Sequence, residues 1–296
     1  MVGLQGVAIA ERATQQALQY ARERKQGRGD GASGAASVPI IEHVDVRRML
    51  LTMRALTQGA RAICYTTAIA LDRSHLADNA NDRKTAADRA ALLTPVAKAF
   101  STDIGIDVAS LGIQVHGGMG FIEETGAAQH YRDARIAAIY EGTNGIQAID
   151  LVTRKLPLNG GETIKTFIAT LREIVHHVRA TNHHAFGATA NCLGDAVDSL
   201  ENATAWLMAN VRNDTTAALA GATPYLRLFA NAAGGCMLAK EALAAIKLSD
   251  DAASIDRVAM ARFFAENIAV QNRGLEAIVV EADASVTTAP LPGDVV

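Results

Sequence analysis

The chain has 296 residues, 49% of them hydrophobic but only 4% aromatic, a formal net charge of −3 and a pI near 6.2. That balance excludes a general basic field for nucleic acid or an anionic membrane surface, and an alanine-rich chain poor in aromatics suits close-packed helices better than sheets. Cys64, Cys192 and Cys236 are far apart with no CxxC pair, no apolar run is long enough to span a membrane and no leader pattern opens the chain, so the expectation is an all-α, unexported, cytoplasmic protein.

Val7, Ala10, Ala13, Ala17 and Ala21 trace a helical stripe running to about Arg24. Gly27, Gly29, Gly31 and Gly34 make further helix costly and predict a hairpin loop. The RGD triplet Arg28 to Asp30 inside it is read as coincidence. From Asp45, the residues Val46, Met49, Leu50, Met53, Leu56, Ala60 and Ile63 follow the i, i+3, i+4, i+7 series of a long helix toward Leu76. The polar run His75 to Thr85 reads as a turn. A helix from about Ala86 to His116 follows, with Leu92, Val96, Ala99, Phe100, Ile104 and Val108 as its apolar side. Three long helices joined by short connections predict antiparallel neighbours in a bundle.

Shorter helices are expected over Ala127 to Ile139 and Asn144 to Lys155. The breaker cluster Leu156 to Gly161 then separates a first helical domain, 1–156, from a second, 157–296. The second should hold three or four amphipathic helices. Leu226, Phe229, Ala233, Cys236 and Leu243 stripe one of them, with Cys236 a small buried hydrophobe. Phe264, Ile268, Leu275 and Ile278 stripe the last, and the tail from Ala282 is expected to fray.

Chemistry concentrates in IYEGTNGIQ, Ile139 to Gln147, between two helical runs. Asn144 with Gln147 three residues on looks like a helix cap, which turns free N–H groups and a positive dipole end toward Glu141. Gly142 and Gly145 let a flat ligand reach the backbone. From spacing alone Glu141 is either a complement to the helix dipole or a reactive carboxylate, and Gln114 to Gly120 is either a helix C-cap or a glycine turn against a cofactor. It is no dinucleotide-binding fingerprint, because no strand precedes it. His116 reads as a satisfied structural histidine, and Arg132, Asp133 and Arg135 as a surface charge network. His176, His177, His183 and His184 read as a solvated face with no metal, for want of a further ligand type.

Taken together, QVHGGMGFIEETGAAQHYRDARIAAIYEGTNGIQAIDLVTRKL, Gln114 to Leu156, resembles the carboxy-terminal signature of the acyl-CoA dehydrogenases. GLQGVAIAERATQQALQYARERKQGR and PIIEHVDVRRMLLTMRALTQGAR resemble the same family's helical domain in the same order, while TPYLRLFANAAGGCMLAKEAL and ARFFAEN resemble an extra helical domain of a subgroup. The resemblance implies FAD-dependent α,β-dehydrogenation of an acyl-CoA thioester, with Glu141 as catalytic base and Gly142 against substrate. Arg24, Gln114, Gly118, Thr143 and Asn144 are implied to contact FAD, Gln114 and Gly118 across a subunit interface. It further implies a homodimer or homotetramer passing electrons to an electron-transfer flavoprotein. The glycine-rich stretch after Arg24 departs from the family pattern. The family's amino-terminal helical domain and β-domain lie outside the resemblance, so the base is expected without most of the flavin-ring contacts. A separate amino-terminal half, an inactive fragment or interaction module, and an acyl-CoA oxidase remain alternatives.

Overall fold

The computed structural model describes residues 1–28, 37–249 and 251–290. The described residues form helices and no strand, with one isolated bridge between Lys25 and Pro39. Gln26 N–H donates to the Val38 carbonyl at 3.0 Å beside that bridge, closing the stem of the predicted hairpin. Its glycines Gly29, Gly31 and Gly34, and most of the RGD triplet, lie outside the described residues.

Helix α1 is Val2–Glu23, α2 is Val44–Leu76 and α3 is Ala80–His116. All five residues of the first stripe are buried in α1. The turn expected from His75 to Thr85 is shorter than that: Asn79 caps α3 by accepting from the Asp82 N–H at 2.7 Å, so the helix starts six residues before Ala86. The segment is polar because it is a solvated helical turn. Helices α1 and α3 approach closely at Gly6, where an added Cβ would lie 2.1 Å from the Ser101 carbonyl oxygen.

Next come α4, Gly118–Phe121, α5, Ala127–Ala137, and α6, Asn144–Asp150, which runs on through a π-turn to Lys155. After the break at Asn159 and Gly160, both at positive φ, the chain forms α7, Glu162–Thr181, α8, Thr189–Asn210, α9, Thr215–Ala220, and α10, Ala222–Leu248. It ends in α11, Ala252–Asn267, α12, Asn272–Glu281, and α13, Asp283–Thr287. The part after the break therefore holds more helices than expected.

Two of its stripes also read differently in three dimensions. Helix α10 is not one-sided: every residue from Leu228 to Cys236 is buried, because α2, α7, α8, α11 and α12 surround it. The last stripe is broken between α11 and α12, and Ile278 is exposed while Val279 is buried. Buried Asn272 resets the helix: its amide donates to the Ala196 and Leu228 carbonyls at 3.3 and 3.0 Å and accepts from Asn231 at 3.2 Å. Residues before and after the break share one continuous hydrophobic core. Phe264 of α11 rests on Gly59 of α2, and the Arg54 guanidinium grips Asp256 through two bonds of 3.0 and 2.8 Å.

Candidate active site

Between α5 and α6 the backbone turns back on itself. Glu141 takes a left-handed conformation, φ 58°, and Gly142 follows at φ 80°. A non-glycine residue there is strained by about 1 kcal/mol or more and persists only when its surroundings hold it. Four contacts hold it. Gln147 Nε2 donates to the Glu141 carbonyl at 3.2 Å, and Asn144 N–H donates to the Ala138 carbonyl at 3.1 Å. Lys98 Nζ, from the middle of α3, donates to the Gly142 carbonyl at 2.8 Å and to Asn144 Oδ1 at 2.8 Å.

The helix cap differs from the expected one. Thr143, not Asn144, caps α6 through its hydroxyl, and Gln147 serves the Glu141 carbonyl instead of closing a capping box. Asn144 is thereby the first helical residue, and its side chain turns inward. Its amide nitrogen donates to Asp103 Oδ1 at 2.6 Å and Thr102 Oγ at 2.9 Å. Burial raises the Asp103 carboxyl above the usual range and lowers the Lys98 ammonium below its own, each partly offset by the other's charge. Lys98, Thr102 and Asp103 escape the sequence reading because they sit among Val96, Ala97, Ala99 and Phe100. A lone lysine inside an apolar run was the available signal.

The backbone N–H groups of Glu141, Gly142 and Thr143 donate to no group among the described residues. The Glu141 side chain is exposed. It stands with Lys98 at a groove of ≈ 290 Å³ walled by the first turn of α1 and by Cys64, Thr67, Leu71 and Ala97. Free N–H groups beside a carboxylate suit a substrate whose oxygen gains negative charge as a neighbouring proton leaves.

The remaining sequence candidates gather elsewhere. Tyr20 and His116 stack at 4.5 Å, which brings the end of α1 beside the end of α3 and so places Arg24 near Gln114 and Gly118. Arg24 and Gln114 are exposed, and no carboxylate pairs with Arg24 among the described residues. A Cβ at Gly117 or Gly118 would meet nothing within 4 Å. These residues and Glu141 lie at opposite ends of α1, roughly 30 Å apart at 1.5 Å per helical residue. One chain therefore does not bring all seven candidates together.

His116 itself is satisfied, buried with Nδ1 2.7 Å from the Gly112 carbonyl. Of the expected charge network, Arg132 pairs with Glu123 through bonds of 3.0 and 2.7 Å, while Asp133 and Arg135 form no ion pair among the described residues. No cluster of three or more His, Cys, Asp or Glu side chains among them is placed to hold a metal ion. Burial pushes the Cys236 thiol up to about 12, as suits a small core hydrophobe. No described helix is long and apolar enough to cross a membrane.

The described residues thus form an all-α bundle with a strained glutamate at a groove. Comparison with known proteins is specific about its family. Residues 1–156 match the family described as acyl-CoA dehydrogenase, C-terminal domain, and residues 162–290 match acetyl-CoA dehydrogenase C-terminal like. The chain belongs to the acyl-CoA dehydrogenase family. It is 43% identical over 296 residues to the 3-methylmercaptopropionyl-CoA dehydrogenase of Ruegeria pomeroyi, covering 98% of this chain and 50% of that protein. It is 31% identical to the broad-specificity linear acyl-CoA dehydrogenase FadE5 of Mycobacterium tuberculosis, covering 90% of this chain and 46% of that protein. The chain thus spans about half the length of these relatives. A crystal structure of an acyl-CoA dehydrogenase complexed with FAD from Bacillus anthracis shares the fold, with a TM-score of 0.74 at 19% identity over 98% of this chain and 51% of that one.

Proposed function

We propose that this chain supplies the catalytic base of an FAD-dependent acyl-CoA dehydrogenase that converts an acyl-CoA thioester to a 2-enoyl-CoA. The observation that carries the reading is the Glu141 carboxylate presented beside unpartnered backbone N–H groups at the mouth of a groove. The acyl chain lies in the groove and Glu141 removes the α-proton. Its own N–H donates to the thioester carbonyl oxygen, where charge builds as the proton departs. Gly142, lacking a side chain, lets the thioester lie against the backbone. A carboxylate becomes a stronger base when water is excluded, and polypeptide beyond these 296 residues supplies the walls that dehydrate the exposed Glu141.

Bound FAD supplies the hydride acceptor for the β-hydrogen. Thr143 borders the flavin end. Asn144 acts through its inward bonds to Lys98 and Asp103, holding the loop. The Arg24 guanidinium, with no carboxylate partner among the described residues, suits a pyrophosphate, and the open space at Gly117 and Gly118 suits an adenosine approaching with Gln114. Since these sit at the far end of α1 from Glu141, the residues that would hold the two ends of one FAD would come from two copies of the chain, so the working unit is a homodimer or homotetramer. The electrons pass to an electron-transfer flavoprotein. Three free cysteines fit a cytoplasmic setting, and the break at Leu156 to Gly161 divides a base-bearing domain, 1–156, from an added one, 157–296.

The test is flavin content and anaerobic bleaching by a panel of acyl-CoAs, on the chain alone and after co-expression with the upstream coding region. Flavin and bleaching are expected in the second sample, and Glu141→Gln should keep the flavin while slowing bleaching about 10³-fold. Equal bleaching by the variant would remove Glu141 from the chemistry. A folded protein that binds no flavin in either sample would mark a non-catalytic interaction module, and rapid reoxidation by oxygen an oxidase.

A further inference from the structure

On the side of the α2/α3 hairpin that faces α10 lies a cavity of ≈ 280 Å³, lined by Arg73 near the end of α2, Arg89 of α3 and Lys240 of α10, with Thr66, Thr85 and one acid, Asp82. Three cations against one carboxylate leave the cavity net positive. Asp82 is engaged elsewhere: its carboxylate accepts from the Asn79 amide at 2.9 Å, and it sits in the first turn of α3, where it complements the helix dipole.

Arg89 is the unusual member. It is half-buried, its guanidinium lies 5.7 Å over the Phe167 ring, and its recorded hydrogen bond goes to the neutral Thr170 hydroxyl at 3.2 Å. No carboxylate pairs with it, nor with Arg73 or Lys240, among the described residues. Burial first, and then the charge of Arg73, lowers its hold on the proton. Elsewhere in the chain arginines at comparable seams are paired, Arg54 with Asp256, Arg61 with Glu11 and Arg227 with Asp107. A partly buried guanidinium without a counter-charge is costly, and an anion in the cavity offsets that cost.

We propose that this cavity binds a phosphate-class oxyanion, as free phosphate or as the terminal group of a phosphomonoester. Arg89 lines the cavity, and with one amino group held by the Thr170 hydroxyl its guanidinium keeps further N–H donors for an oxygen of such a group. Arg73 and Lys240 flank it, and the Thr85 hydroxyl, which has no partner among the described residues, adds a neutral donor. Arg73 and Arg89 precede the break at Asn159 and Lys240 follows it, so the bound anion ties the hairpin end to α10. The site is separate from the Glu141 groove and does not depend on the dehydrogenase reading.

The experiment titrates the 296-residue chain with inorganic phosphate, and separately with adenosine monophosphate, at ionic strength held constant with chloride, following Tm and phosphorus NMR. The expected result is a saturable rise in Tm that the double variant Arg73→Ala/Lys240→Ala weakens at least tenfold in apparent Kd. Both of those side chains are exposed, so the variant should fold. Arg89→Gln should abolish the effect. Tighter binding of the nucleotide with the same losses assigns the site to a phosphomonoester, and tighter binding of phosphate assigns it to the free ion. A response no larger than that to chloride, or one the double variant leaves unchanged, overturns the proposal.

Discussion

The Lys98 ammonium donates to the Gly142 carbonyl at 2.8 Å, tying the centre of the longest helix to the turn that presents Glu141. The same ammonium reaches Asn144 Oδ1, so a single buried cation fixes both sides of the turn. Replacing it with an apolar chain leaves the Gly142 carbonyl without its donor and Asn144 Oδ1 with the Thr102 hydroxyl alone.

Lys98→Met should therefore cost about 2–3 kcal/mol, the range for a charged hydrogen-bonded group removed from a buried site. Its local signature is a rise of at least tenfold in amide exchange at Asn144, Ile146 and Gln147, whose N–H groups are bonded at the turn, with α8 and α12 unchanged. Hydrogen exchange by mass spectrometry, paired with urea unfolding, reads both. Unaltered exchange at the turn would show that Gln147 and the Ala138 contact hold it without the lysine.

Strain at Glu141 makes the opposite prediction. At φ 58° a glycine is at ease where a glutamate is not, so relief of strain outweighs the entropy glycine returns to the unfolded chain, and Glu141→Gly should raise stability by up to about 1 kcal/mol while removing the carboxylate. A midpoint shift in urea at constant slope is the measurement. A loss of stability would mean that the carboxylate itself helps hold the loop.

Asp103 gives a pH dependence. Burial raises its carboxyl, the Asn144 amide lowers it, Asp107 raises it, and Arg227 and Lys98 lower it, with a net upward shift. An acid with a raised folded value keeps its proton longer folded than unfolded. Its contribution to stability is then most favourable when both states are protonated. It declines as pH rises from the ordinary value of 3.8 through the raised one, then levels off. Asp103→Asn retains an oxygen to accept from Asn144 and removes that decline. Its stability relative to the parent should rise as pH increases above 3.8 and level off once the raised value is passed, and a difference in unfolding free energy that stays constant with pH would contradict the assignment.

Two glycines separate packing from ligand access. Gly6→Ala would force a methyl to 2.1 Å from the Ser101 carbonyl and should cost about 3 kcal/mol as α1 is pushed off α3. Gly118→Ala meets nothing within 4 Å and should change stability by under about 0.5 kcal/mol. Thermal unfolding of the pair checks this, and a large loss at Gly118 would place a strict steric demand on the turn itself.

Much of the helical course was legible because burial writes a 3.6-residue period into the chain. The α1 stripe and the apolar side of α3 are buried as that period requires. Periodicity failed where both faces of a helix are covered, as in α10, and where one buried polar group interrupts a stripe, as Asn272 does. It also shortened α3, since a solvated first turn looks like a loop until its cap is seen.

The site divides the same way. Glu141, its glycine and the family to which the chain belongs could be read from IYEGTNGIQ and its company, because a short turn between helices carries its residues in one contiguous stretch. That Lys98 and Asp103, some forty residues earlier, hold this turn is a matter of helix packing. So is the separation of Arg24, Gln114 and Gly118 from Glu141, which follows from the length of α1. So too is the meeting of Arg73, Arg89 and Lys240 at one seam. Local order encodes which residues neighbour one another along the backbone; which distant charges share a buried volume is decided only when the helices close on each other.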